Sequence, residues 1–182
     1  VKEVIAGAMF STGQKCTAVR RIMVPADWAD ELCEAISEEL GRVVIGEPGT
    51  DGVGMGPVAT AAQLRDGRAG IDALAAQTSI ICGGSGAVEG KGVEPGKGYF
   101  IAPTLLRASD ARSATEAHSR EVFGPCATVL PYDGSAEEAA GIVGLGGGSL
   151  VSSVYTDDRK WLGGFLTGAA PWNGRVLAVT GK

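Results

Sequence analysis

Trp28, Leu32, Ile36 and Leu40 recur at a spacing of four and predict one apolar stripe along a helix of about four turns. The acids Asp30, Glu31, Glu34, Glu38 and Glu39 fall mostly off that stripe and predict its solvated face. Asp27 is placed to cap the helix, with Asp30 three residues on. Just ahead, Arg21-Ile22-Met23-Val24 is a short branched apolar run stopped by Pro25, the pattern of a strand.

The same alternation continues. A weaker helical pattern runs from beyond Pro57 to about Gln77, and 78–82 is strand-like. Residues 99–106 look extended around Pro103, 126–130 read as a strand and 135–143 as a helix. A strand over 150–156, a helix over 157–167 and a last strand over 175–179 complete the pattern. Strand alternating with helix predicts a three-layer α/β domain around a mainly parallel sheet. At the other end, Val1 to Ala6 read as the middle of a helix, without the basic-then-apolar order of a signal peptide.

Composition narrows the function classes. A chain of 182 residues, 45% hydrophobic and 20% charged, fits one globular domain. A domain of that size buries roughly 70% of the surface its unfolded chain exposes, so it needs neither disulfide nor metal to fold. The net charge of −5, with acids and bases interspersed, gives no basic face for nucleic acid and no polybasic patch for a membrane. The apolar runs are far shorter than the roughly 20 residues a bilayer span needs. Cys16, Cys33, Cys82 and Cys126 form no C-x-x-C pair, and His118, the single histidine, is near none of them. No metal site is expected. Reduced thiols in the cytoplasm are.

Chemistry concentrates in Ser11-Thr12-Gly13-Gln14-Lys15-Cys16-Thr17-Ala18-Val19-Arg20-Arg21. Cys16 follows a glycine and has three cations nearby in sequence, a setting that favours a nucleophilic thiolate. Gly13 lets backbone approach closely, so that amide N–H groups can face a developing oxyanion. On these residues alone, a small buried apolar cysteine is the commoner reading. Cys33, Cys82 and Cys126 read as core. His118 has nothing that pairs it with Cys16.

The segment Gly13-Gln14-Lys15-Cys16, with Arg21 five residues past the cysteine, resembles the active-site segment of aldehyde dehydrogenases. Four further stretches resemble the same family in the same order. They are Gly46-Glu47-Pro48 with Gly56-Pro57-Val58 and Gln63, then Gly98-Tyr99-Phe100 through Pro103-Thr104-Leu105, then Glu121-Val122-Phe123-Gly124-Pro125, and finally the strand-like stretch from Leu150 to Asp157. Within the family, Lys15, Thr12, the run from Thr17 to Arg21 and Gly147-Gly148-Ser149-Leu150 resemble the dehydrogenase half of bifunctional phenylacetate-degradation enzymes. A relative acting on dehydroadipyl-CoA semialdehyde in benzoate degradation shares much of this pattern.

The resemblance implies the aldehyde dehydrogenase catalytic-domain fold and oxidation of an aldehyde, CoA-linked in this subgroup, with NADP or NAD. It implies that Cys16 is the thiol that forms a thiohemiacetal and then a thioester. It implies that Glu121 accepts from the ribose hydroxyls on the nicotinamide side and that Phe123 packs near the nicotinamide. The family's general-base glutamate, its oxyanion-hole asparagine and its dinucleotide-binding domain lie upstream of the nucleophile, outside this chain, and the C-terminal arm lies beyond Lys182. These residues alone are therefore expected not to oxidise aldehydes, and the full-length enzyme is expected to be a homo-oligomer. Gly83-Gly84-Ser85-Gly86 and Gly146-Gly147-Gly148 are poor phosphate loops, since no helix in the G-x-G-x-x-G register follows. Two other functions stay open: a CoA-acylating dehydrogenase that shares Cys16, and an α/β binding domain without chemistry.

Overall fold

The protein is described by a computed structural model over residues 1–180. α1 (Lys2–Met9) leads through a 3-10 turn, Phe10–Gly13, and a loop into β1 (Arg21–Pro25). A second 3-10 turn, Ala26–Trp28, then precedes α2 (Ala29–Gly41), which starts later than the apolar spacing predicts. Its buried residues are Ala29, Cys33, Ile36 and Leu40, whereas Trp28 is 64% exposed. Small side chains thus fill the first two places of the stripe, because the turn after Pro25 swings Trp28 off the sheet. No side-chain cap closes this helix, since Asp27 is spent inside the turn.

α3 (Ala61–Ala75) begins where the Thr60 hydroxyl accepts from the Gln63 N–H. β2 (Ser79–Cys82), β3 (Thr104–Arg107), α4 (Thr115–Ser119), β4 (Cys126–Tyr132) and α5 (Ala136–Leu145) follow. β5 (Ser149–Tyr155), α6 (Arg159–Ala169) and β6 (Asn173–Val179) complete the chain. Ser135 caps α5 through the Glu138 N–H, and Asp158 caps α6 through those of Lys160 and Trp161. Of the extended stretch around Pro103, only the part from Thr104 onward joins a ladder, consistent with a proline that has no N–H to donate.

The strands divide between two sheets. One has the order β1-β4-β3-β2, the other pairs β5 with β6. All pairings are parallel except β2 against β3. β2 reaches β3 without a crossover helix, and a parallel pairing needs such a crossover. Alternate residues of β3 and β4 point to opposite faces. Leu105, Ala127 and Val129 pack with Ala8 of α1 and with Ala29, Cys33, Ile36 and Leu40 of α2. Leu106, Cys126 and Leu130 pack with Ile71 and Leu74 of α3, Ala117 of α4 and Ile142 of α5. Helices on both faces make the three layers. A third cluster joins α5 and α6 to Val154 of β5. No helix among the described residues is long and apolar enough to cross a membrane.

Candidate active site

The loop between α1 and β1 carries an unusual backbone. Ser11, Thr12 and Gly13 take φ values of 51°, 58° and 68°, three left-handed residues in a row. For a residue with a Cβ this costs about 1–2 kcal/mol, so the surroundings must hold it. They do. The Thr12 hydroxyl, nearly buried, donates to the Gly56 carbonyl at 3.1 Å. The Gln14 amide donates to the Ser11 carbonyl, and its oxygen accepts from the Ala59 N–H at 2.9 Å. Beyond it, the Ala18 N–H donates to the Lys15 carbonyl at 2.9 Å and closes a turn that presents Cys16 to solvent.

The three cations expected around Cys16 are not gathered on its sulfur. The Lys15 ammonium lies 5.1 Å from the centre of the Phe10 ring. Arg20 donates to the Gly13 carbonyl at 3.0 Å and to the Gly124 carbonyl at 3.3 Å. Arg21 donates to the carbonyls of Ile142 and Val143, closing the C-terminal turn of α5. The two arginines are spent on backbone carbonyls, stronger acceptors than a thiol, and Lys15 lies by an aromatic ring. Cys16 has no hydrogen-bond partner among the described residues. Of the other thiols, Cys126 is buried and pushed up to about 12 by desolvation, and Cys33 is raised by the same cause.

Residues 121–125 lie against this loop. A Cβ on Gly13 would overlap the Gly124 carbonyl and come within 2.8 Å of the Pro125 nitrogen, so only glycine allows this approach. Val122 turns into the core, which leaves Glu121 and Phe123 pointing outward. The Glu121 carboxylate lies 3.6 Å from Arg20, and the Phe123 ring centre 5.5 Å from the Arg20 guanidinium carbon. Cys16, Arg20 and Glu121 also border an open cleft of about 1120 Å³ between β1 and β5, slightly larger than a typical small-molecule site. The structure thus brings the Cys16 turn and the Glu121–Phe123 pair together through Arg20 and the contact of Gly13 with Gly124. Charge counting finds Arg20 but misses this bridge, because its second anchor is 104 residues away.

Residues 1–168 match the aldehyde dehydrogenase family. The chain belongs to that family. It is 37% identical over 179 residues to 3,4-dehydroadipyl-CoA semialdehyde dehydrogenase of Aromatoleum evansii, covering 98% of this chain and 35% of the relative. It is 32% identical over 187 residues to 3-succinoylsemialdehyde-pyridine dehydrogenase of a Pseudomonas species, covering 99% and 37%. Among solved structures, a variant of Bacillus cereus aldehyde dehydrogenase superposes with a TM-score of 0.80 at 25% identity, over 97% of this chain and 34% of that one. A variant of Pseudomonas syringae aldehyde dehydrogenase C, in complex with NAD+ and octanal, gives 0.76 at 26%, over 97% and 35%. The chain therefore spans about a third of the length of these relatives.

Within this family member, the glycine clusters outside the Cys16 loop serve turns. Gly83 and Gly84 follow β2 and Gly147 and Gly148 precede β5, all four with positive φ and none opening a helix. His118 borders the same cleft and is tied into the scaffold. Its Nδ1 lies 3.1 Å from Arg21 Nη1 and its Nε2 lies 2.6 Å from the Ala111 carbonyl oxygen. Arginine only donates and a carbonyl only accepts, so the ring is neutral with its proton on Nε2.

Burial lowers the His118 pKa, the Ala111 carbonyl opposes, and the Arg21 charge adds to the lowering. A depressed folded-state value means stability that is full above about pH 6.5 and is lost as pH falls through the folded value. His118→Gln keeps a donor and an acceptor and cannot titrate. Thermal midpoints measured between about pH 5 and about pH 7.5 are expected to fall less steeply on acidification in this variant than in the wild type. Parallel curves would contradict the assignment.

Proposed function

We propose that this chain is the catalytic domain of a cytoplasmic, homo-oligomeric aldehyde dehydrogenase. In this reading the enzyme oxidises a CoA-linked semialdehyde of aromatic catabolism to its carboxylate with NADP or NAD, and its dinucleotide-binding domain lies upstream of Val1. The observation that carries the reading is the junction of the exposed Cys16 turn with the Glu121–Phe123 pair in a member of this family. The semialdehyde dehydrogenases among its relatives, one of them acting on a CoA-linked substrate by name, support the substrate class.

The Cys16 sulfur attacks the aldehyde carbon, the carbonyl electrons move to oxygen, and the Cys16 backbone N–H donates to the oxyanion of the resulting thiohemiacetal. When bound, a nicotinamide dinucleotide supplies the hydride acceptor that converts thiohemiacetal into thioester. Water then attacks the thioester carbon and Cys16 leaves as thiolate, giving the carboxylate. The base that activates this water and the second oxyanion donor are assigned to the upstream part of the enzyme.

The residues present suit a dinucleotide. The Glu121 side chain is 62% exposed, and a carboxylate accepts from two vicinal hydroxyls. Phe123 is 37% exposed on the same outward side and offers an aromatic surface to the nicotinamide ring.

The test follows products in the whole enzyme given a semialdehyde, free or CoA-linked, with NAD or NADP. The expected result is reduced dinucleotide and free carboxylate in equal amounts, with the CoA-linked aldehyde turned over faster. Product that appears only as a new thioester on added CoA would make the enzyme an acylating dehydrogenase. Dinucleotide binding without turnover of any aldehyde would reduce the chain to a binding domain.

A further inference from the structure

We propose that Arg20 is a positioning residue that joins the Cys16 turn to the loop carrying Glu121 and Phe123 and aims the Glu121 carboxylate at its ligand. The proposal rests on the function above, which assigns Cys16 and Glu121 but gives Arg20 no part.

The geometry is that of a fork set between two loops. Arg20 Nη2 donates to the Gly13 carbonyl at 3.0 Å and to that of Lys15 at 3.4 Å, holding the turn on both sides of Gln14. Nη1 reaches the Gly124 carbonyl at 3.3 Å. The same guanidinium lies 3.6 Å from Glu121 Oε1 and covers the Phe123 ring at 5.5 Å. One side chain thus touches the flanks of the candidate nucleophile and both candidate cofactor residues. It is 18% exposed, whereas the Glu121 side chain is 62% exposed.

Position on the chain explains why Arg20 can do this. It lies at the entrance to β1, and the Thr128 N–H of β4 donates to its backbone carbonyl at 2.8 Å. The stem is therefore anchored to the sheet while the guanidinium extends over the loops. A planar guanidinium serves several acceptors at fixed angles, and a lysine ammonium at the same place cannot reproduce that. A carboxylate as exposed as Glu121 otherwise samples many rotamers and loses that freedom on binding, which weakens the complex. Held by Arg20 on one oxygen, it is oriented before the ligand arrives.

The test measures equilibrium dissociation constants of NADH and NADPH by nicotinamide fluorescence in the whole enzyme. The variants are Arg20→Met, Arg20→Lys, Glu121→Gln, and each Arg20 substitution combined with Glu121→Gln. Arg20→Met and Glu121→Gln are each expected to weaken binding about tenfold, the loss of one charge-assisted interaction. The double variant is expected to be little worse than either single one, since both remove the same oriented carboxylate. Arg20→Lys keeps charge near Glu121 and is expected to bind more tightly than Arg20→Met. A role confined to folding gives additive losses, about a hundredfold in the double variant, and overturns the proposal. So does unchanged binding in a folded Arg20→Met protein. If Arg20→Met does not fold, Arg20→Lys with and without Glu121→Gln makes the same comparison, with less-than-additive loss as the supporting result and additive loss as the contrary one. If Glu121→Gln alone leaves binding unchanged, the role of Glu121 in the proposed function fails. If Glu121→Gln weakens binding and Arg20→Met does not, only the role of Arg20 falls.

Discussion

Replacing Cys16 with alanine is expected to lower aldehyde turnover by the whole enzyme on the order of 10⁴-fold or more, the scale seen when a covalent nucleophile is removed. No other thiol can substitute. Cys126 is 2% exposed and held protonated by desolvation, with a pKa of about 12. Cys33, on the buried face of α2, has its pKa raised for the same reason. Cys82 is on β2, which joins the first sheet at the edge opposite β1. The affinity for the dinucleotide is expected to stay within about twofold of wild type, because Cys16 lies outside the Glu121–Phe123 pair. Initial rates and fluorescence titration check the two halves of this expectation. Retention of more than about one hundredth of the wild-type rate would remove Cys16 from the chemistry.

Gly13→Ala is expected to be the most damaging small change in the site. Its φ of 68° strains any residue with a Cβ by about 1–2 kcal/mol. That Cβ would also overlap the Gly124 carbonyl, a backbone group that gives way only if the two loops part. Overpacking of this kind adds about 1–3 kcal/mol, so a total destabilisation of roughly 3 kcal/mol is expected. Turnover should fall further than stability alone requires, because separating the loops also separates Cys16 from Glu121. Gly163→Ala is the control. It is an exposed helical position with nothing near its Cβ, and alanine there should be neutral or stabilise by up to about 1 kcal/mol. Denaturant unfolding of the two variants decides the matter. Equal stabilities would show that the contact of Gly13 with Gly124 is not the tight one described.

Much of the fold was legible because it follows local rules. The helical run over 135–143 marks α5, and the branched run closed by Pro25 marks β1. The start of α2 was not legible, since Trp28 has the right spacing and apolarity and only the turn after Pro25 excludes it. Ala29 and Cys33 are too small to dominate an apolar pattern, yet they are what the sheet admits. The division into two sheets depends on how crossovers settle, which no local run encodes. At the candidate site, Cys16, Glu121 and Phe123 stand out only through the family resemblance of their short, contiguous motifs; on its own, each residue reads as an ordinary core or surface position. The orientation of the nearby cations does not. Proximity along the chain put Lys15, Arg20 and Arg21 beside the thiol, whereas Lys15 lies by the Phe10 ring, Arg20 bridges the local Gly13 carbonyl to the distant Gly124 carbonyl, and Arg21 reaches Ile142 and Val143.

The central claim is that the thiol of Cys16 carries the reaction. Its most direct test is limited alkylation of the whole enzyme with iodoacetamide at neutral pH, sampling remaining activity and peptide masses at each time. The predicted result is that activity falls in proportion to carboxamidomethylation of Cys16, while Cys33, Cys82 and Cys126 stay largely unmodified. Full modification of Cys16 with activity intact, or inactivation that tracks one of the other three cysteines, would contradict it.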